Sequence, residues 1–404
     1  MIATNQAGIV QPFRSNYRPA FAGHAVNYID RVSVCHFAQP WFDINQNSAG
    51  ILPRMSLKIF FYPYKLPLRE NWPDQRNSPV SFREGWIIRL DENGRSGIGD
   101  CAPFPAFGTE SRENAMRLLQ FCAEKSWADS TELLGELEYQ RPTCPSACFA
   151  LETAALDLES RKENLPLRKL LDENASEQVR TNAFCGSICR KIIENTTETC
   201  CQTIKLKAGN LNIEQEISCL KELCKKLPPQ TRVRLDANGA WQPDEARAFL
   251  NAAEGLPIES LEEPLLDPDL ESLALLQSET SVTLALDESL MKLNLDAVLS
   301  NTRIRRLVLK PALHGGLRYT CDLARKAVAA GKETVITTLI DSAVGVHASC
   351  QLASAVDAFS PELAHGLATS GWLVEDVAAP PEIRAGYVLL SAAPGLGIDE
   401  TFQI

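Results

Sequence analysis

Five charged side chains close five apolar, β-branched runs, and their types could hold a cation and move a proton. Lys207 ends Thr203-Ile204-Lys205-Leu206-Lys207, Asp236 ends Arg232-Val233-Arg234-Leu235-Asp236, and Glu262 ends Ile258-Glu259-Ser260-Leu261-Glu262. Asp287 ends Val282-Thr283-Leu284-Ala285-Leu286-Asp287, and Lys310 ends Arg306-Leu307-Val308-Leu309-Lys310. The intervals between these ends are 29, 26, 25 and 23 residues. A strand, a helix and two short loops need about that length. Five successive βα units therefore present Lys, Asp, Glu, Asp and Lys at equivalent strand ends. In a (β/α)8 barrel those ends converge on one mouth, where the fold keeps its active sites.

Asp236, Glu262 and Asp287 offer only oxygen, which suits Mg2+, with Mn2+ as a substitute; zinc would want nitrogen or sulfur. A strand-end acid can also cap the helix that follows it. That accounts for one such acid, but three converging carboxylates would repel one another without a cation. Lys205 and Lys207 lie two apart and share a strand face, while Ile204 and Leu206 take the face that packs on helices. Both lysines therefore point into the mouth, and Lys310 arrives from the far side. Partial desolvation near a divalent cation predicts a lysine pKa below its usual value of about 10.4, so that a neutral amine can act as a base. The class of reaction is proton abstraction next to a carboxylate, with the cation stabilising the enediolate.

The elements that must position these residues are legible as alternating strands and helices. Strand candidates lie at 179–184, 203–207, 232–236, 258–262, 282–287, 305–310 and 334–338, with an eighth near 361–364. Amphipathic helices fill the gaps, as at 213–226, 317–330 and 344–356, which implies an α/β parallel barrel. Ahead of it, residues 55–145 show a hairpin through Asn93-Gly94, a Pro/Gly-rich loop at 101–108 and helical periodicity, the pattern of a small α+β capping domain. The barrel is expected over 146–375, and the tail 376–404 is expected to return to the cap. Residues 1–54 have no period; Met55 resembles a natural start, so the preceding segment is expected to be an extension of unclear role or a mis-called start.

Composition narrows the class further. The chain has 404 residues, 45% hydrophobic and 23% charged, the profile of a soluble globular protein. A net charge of −11 argues against a general nucleic-acid or anionic-membrane binder. No apolar run approaches the ~18 residues of a membrane span, and the basic, apolar, small-residue order of a signal peptide is missing. Thirteen cysteines without Cys-x2-Cys pairs are expected as free buried thiols in a reducing cytosol. The expected partner is a small-molecule carboxylate, and the expected assembly a monomer or small homo-oligomer.

Lys205-Leu206-Lys207, Asp236-Ala237-Asn238, Glu262-Glu263-Pro264, Asp287-Glu288-Ser289 and Lys310-Pro311 together resemble the enolase superfamily, a modified barrel with an N-terminal cap. Lysines on the second and sixth strands are similar to its muconate-lactonising-type branch. Within that branch, the chain resembles the o-succinylbenzoate synthase family of menaquinone biosynthesis. Arg83-Glu84-Gly85, residues 97–105, Arg234-Leu235-Asp236-Ala237-Asn238, Ala285-Leu286-Asp287-Glu288-Ser289 and Gly366-Leu367-Ala368-Thr369 carry this likeness, which spans residues 57–400.

The resemblance implies a hydro-lyase and gives the residues roles. Asp236, Glu262 and Asp287 would bind Mg2+, with Asn238 supporting them. Lys207 would remove the proton and return it to the departing hydroxyl in a syn elimination. Lys205 would support the enediolate, and Lys310 would lie over the ring as a cation. Arg234 would contact the substrate as an anchor beside the metal ligand, Ser342 and Gly366 would meet the succinyl tail, and the loop around 71–82 would cover the site. Asp100 and Asp341 depart from the family resembled, which usually has Glu at both positions; both keep the charge and shorten the reach. The rival on the same scaffold is racemisation or epimerisation of N-succinylamino acids or dipeptides. Dipeptide epimerases carry an Asp-x-Asp pair near the eighth strand, where this chain has His365-Gly366-Leu367-Ala368-Thr369. A non-catalytic barrel would be expected to have lost a ligand or lysine, and all six are intact.

Overall fold

The computed structural model describes residues 57–72, 80–189 and 201–398. The extension 1–54 and residues 73–79 of the expected covering loop lie outside the described residues.

The cap begins with an antiparallel meander of β1 (Lys58–Trp72), β2 (Val80–Glu92) and β3 (Arg95–Cys101). Asn93 and Gly94 turn β2 into β3 with φ of 56° and 75°, the left-handed pair that matches the strand twist of a two-residue hairpin. Trp86, Ile88 and Leu90, two apart on one face, bury against helices Arg112–Glu124, Ser130–Gln140 and Pro145–Lys162. Ile87, on the other face, belongs to the barrel core instead. Gly97 and Gly99 explain the close seating of β3: a Cβ there would stand 2.1 and 2.0 Å from the carbonyl oxygens of Ala154 and Ala150. That contact fixes the next residue, Asp100, at the seam between cap and barrel.

After β4 (Gln178–Arg180) the barrel proper is a parallel sheet of seven strands, each beside the next in sequence. They are β5 (Ala183–Ser187), β6 (Thr203–Lys207), β7 (Arg232–Asp236), β8 (Ile258–Glu262), β9 (Thr283–Leu286), β10 (Arg306–Leu309) and β11 (Glu333–Ile336). Outward side chains such as Ile204, Leu206, Val233 and Leu235 join Leu220, Leu223 and Phe249 of the surrounding helices in one continuous core.

Two expectations are corrected. The first barrel strand is Ala183–Ser187, whereas Gln178–Arg180 pairs with β13 (Tyr387–Leu389), which in turn pairs with β12 (Glu382–Arg384), in a separate antiparallel sheet. The eighth strand shrinks to single bridges, from His365 to Thr181 and from Gly366 to Thr337. There the His365 imidazole does part of a strand's work. Its Nδ1 accepts the Ile336 N–H at 2.9 Å, which leaves Nε2 to donate to Asp357 Oδ1 at 3.1 Å.

The tail returns to the cap. Just ahead of it, Val374 N–H donates to Pro67 O of β1 at 2.9 Å. Buried Asp157 accepts the main-chain N–H groups of Ile98 on β3 and Leu396 of the tail, at 2.9 and 2.7 Å. Among the described residues Cys101, Cys122, Cys144, Cys148, Cys321 and Cys350 are buried free thiols, and no helix is long and apolar enough to cross a membrane.

Candidate active site

The five strand ends meet at one mouth. Asp236 is the last residue of β7, and Asn238 and Gly239 turn the chain away immediately with φ of 45° and 75°. Asp236, Glu262, Asp287 and Lys310 are all buried. Lys205 Nζ lies 2.9 Å from Asp236 Oδ2 and 2.8 Å from Glu262 Oε1. Lys207 Nζ lies 2.8 Å from the same Asp236 oxygen and also donates to Asn238 Oδ1. From the other side, Lys310 Nζ lies 2.5 Å from Asp287 Oδ2.

This proximity decides the charge states. Burial alone would raise the Asp236 carboxyl, but Lys205 and Lys207 outweigh it and hold it well below the usual carboxylate range. Asp287 goes the other way: burial and neighbouring Glu288 push it well above that range against the pull of Lys310. Burial alone would depress Lys205, yet Asp236, Glu262 and Asp287 hold its ammonium well above its ordinary value. Lys310 is likewise raised, with Asp287 and Glu288 outweighing burial. As these two lysines lie, ion pairs at under 3 Å together outweigh desolvation, whereas the expected downward shift concerns the site with a cation bound.

A supporting acid, Glu263, has φ of 45°, a strained conformation for a residue other than glycine. Its Oε1 accepts from Asp287 N–H, Ser289 N–H and Ser289 Oγ at 2.5, 2.9 and 2.6 Å, which fixes Asp287. Burial and Glu288 raise Glu263 to about 7.

Among the described residues, no three His, Cys, Asp or Glu side chains stand close enough to hold a metal ion as they lie. The Lys205 ammonium separates Asp236 from Glu262. The donor set nonetheless fits a hard divalent cation in kind. All three acids present oxygen, and Asp287 Oδ1 and Glu288 Oε2 are buried acceptors without a hydrogen-bond partner. A buried acceptor left so is costly unless a donor or cation meets it.

Above the charges lies a cavity of about 100 Å³. Phe104 and Phe107, from the loop after β3, form one wall with ring centroids 4.7 Å apart; Phe184 and Trp372 pair at 5.3 Å. Lys310 Nζ is 5.4 Å from the Phe107 centroid, within cation–π range. Thr337, Thr338, Gly366 and Thr369 supply a polar corner. A Cβ on Gly366 would fall 2.5 Å from Thr337 Oγ1, so that close approach requires glycine.

Of the three expected substrate contacts, only Gly366 lines this cavity. Arg234 shares the inward face of β7 with Asp236 but sits two residues deeper. Its guanidinium is buried against Glu259 at 3.1 Å and Ala364 O at 2.8 Å, and Glu259 also binds Arg306 at 2.6 Å. Ser342 starts helix Ala343–Asp357, and both its N–H and its hydroxyl donate to Asp100 Oδ2 of the cap, at 2.9 and 2.8 Å. Tyr64 takes the other Asp100 oxygen at 2.6 Å. Asp341 lies beside this group, raised to about 7 by burial and by Asp100.

The aromatic wall was missed from sequence. The signal was two phenylalanines in a Pro/Gly-rich loop, where large apolar side chains need something to cover.

Two family models match the chain. Enolase C-terminal domain-like matches residues 189–401, and MenC, N-terminal domain matches residues 57–158. An o-succinylbenzoate synthase from Vibrio cholerae serotype O1 (strain ATCC 39315 / El Tor Inaba N16961) is 30% identical over 317 residues, 77% of this chain and 88% of that protein. Among solved structures, the L-Ala-D/L-Glu epimerase from Bacillus subtilis superposes with a TM-score of 0.75 at 22% identity, covering 85% of this chain and 98% of that one. A dipeptide epimerase from Enterococcus faecalis V583, complexed with Mg and the dipeptide L-Leu-L-Tyr, gives 0.72 at 22% identity, covering 86% and 100%.

Proposed function

The chain belongs to the enolase superfamily, and on that premise we propose that it is an o-succinylbenzoate synthase. It would remove water from 2-succinyl-6-hydroxy-2,4-cyclohexadiene-1-carboxylate to give 2-succinylbenzoate, in menaquinone biosynthesis. The observation that carries this is the placement of Lys207 and Lys310 on opposite sides of a buried carboxylate group, beneath a wall of four aromatic rings.

Asp236, Glu262 and Asp287 would hold Mg2+ or Mn2+, which when bound supplies positive charge for the substrate carboxylate and for the enediolate that forms from it. Lys205, now paired with two of these acids, would turn to support the same developing charge. Lys207 takes the proton from the carbon bearing the carboxylate. The C–O bond to the ring hydroxyl then breaks, and Lys207 returns the proton to it, so that water leaves from the same face. Lys310, held protonated, keeps a cation over the ring's other face. The phenylalanine wall packs the flat ring and excludes water, while the Thr337–Gly366 corner receives the polar succinyl tail. Ser342, turned toward Asp100, would join cap to barrel rather than touch substrate.

Lysines on opposite faces also suit racemisation of N-succinylamino acids, and that is the second reading. Dipeptide epimerisation is disfavoured because residues 365–369 hold no Asp-x-Asp pair. The test sets ultraviolet-monitored aromatisation of the diene against polarimetry on N-succinylamino acids, using the same purified protein. The reading implies a cytoplasmic enzyme with a small-molecule partner.

A further inference from the structure

Arg83 plays no part in the steps above, yet its buried guanidinium lies where the capping loop meets the barrel. Nη2 donates to Ala102 O at 2.7 Å and Nη1 to Pro103 O at 3.2 Å, both in the loop after β3. Nε donates to Ile340 O at 3.0 Å, on the barrel side, beyond β11. The Phe104 ring lies over the guanidinium with its centroid 4.4 Å from the central carbon. One side chain therefore fixes three carbonyls on two loops and the plane of one ring.

Both loops matter to the cavity, because Phe104 and Ile340 line it. Ile340 has φ of 58°, a genuine outlier for a β-branched residue, which persists only where its surroundings impose it. The bond from Arg83 to its carbonyl is one such constraint. Packing of its side chain with Leu66, Leu68 and Leu373 is the other.

We propose that Arg83 is a positioning residue. By tying the Pro103–Phe104 segment to Ile340, it sets the width of the apolar wall and so favours a flat, ring-shaped carboxylate over a flexible one. This rests on the synthase reading. A lysine could not replace it, since a compact ammonium cannot serve carbonyls on two loops and offers Phe104 no plane to stack on. The lysines and carboxylates of the mouth are held by their own ion pairs on barrel strands. Loosening the wall should therefore weaken substrate binding more than the chemical step.

The experiment compares Arg83→Lys and Arg83→Gln with the wild-type chain in kcat, KM, Mg2+ affinity and thermal unfolding. The expected result is KM raised about tenfold or more, with kcat within about threefold and Mg2+ affinity unchanged. Unchanged KM in both folded variants overturns the proposal, as does a fall in kcat alone. Failure of both variants to fold also overturns it, because Arg83 would then serve the fold as a whole. An inactive wild-type chain would strike the synthase reading and this inference together. Parity of the variants with an active wild type strikes the inference alone.

Discussion

Lys310 and Asp287 form a buried ion pair with Nζ 2.5 Å from Oδ2, and it joins the two functions the mouth must combine. The lysine faces the Phe107 ring, and the acid is one of the three proposed cation ligands. Losing the lysine would leave the acid without this ion-pair partner and the aromatic wall without its cation. For Lys310→Met we expect kcat/KM to fall by about 100-fold or more, as steady-state kinetics would measure. Near wild-type kcat/KM would remove Lys310 from the proposed chemistry.

Lys207 is the proposed base. A general base contributes about 10²- to 10⁴-fold, so Lys207→Ala should lose turnover by that order. It should still bind Mg2+ and 2-succinylbenzoate, as calorimetry would measure. Near wild-type turnover would move the proton transfer to Lys205 or Lys310.

Arg234 is buried away from the cavity, so its removal should be felt in stability. Breaking a buried pair costs about 3–5 kcal/mol, and the lower end applies because Glu259 keeps Arg306 at 2.6 Å. Denaturant unfolding of Arg234→Met should show that loss, with KM per folded molecule unchanged. A selective rise in KM would restore the substrate-contact role expected from sequence.

Asp341 predicts a pH dependence of stability. Its carboxyl is raised to about 7 in the fold by burial and Asp100, against about 3.9 when unfolded. The folded state therefore holds a proton that the unfolded chain releases between those values. Its contribution is most favourable below about pH 4 and is lost as pH rises through about 7, on the order of 4 kcal/mol. Asp341→Asn should flatten that part of the pH–stability curve. An unchanged slope would place the proton on another group.

The five strand ends were legible because each is fixed by local rules: a β-branched run, a charge, and a turn at a regular interval. Arg234 was given a substrate role by the family likeness alone; it shares a face of β7 with Asp236, but alternation gives the face of a strand and not the depth along the barrel axis. Ser342 and Asp100 meet although 242 positions apart in sequence. No local pattern signals such a contact. The aromatic wall was hidden for the same reason: Phe104 and Phe107 gain meaning only when the cap folds over the mouth. The eighth strand, expected near 361–364, is reduced to bridges at His365 and Gly366, where a histidine ring replaces part of its ladder.

The central claim is a cation-dependent elimination at Asp236, Glu262 and Asp287, and its most direct measurement is aromatisation of the diene against Mg2+ concentration. The absorbance change should be saturable in Mg2+, abolished by EDTA and restored by Mg2+ or Mn2+. Asp236→Ala should stay folded and lose both the activity and the Mg2+ dependence. Turnover that persists in EDTA, or in folded Asp236→Ala, would contradict the account.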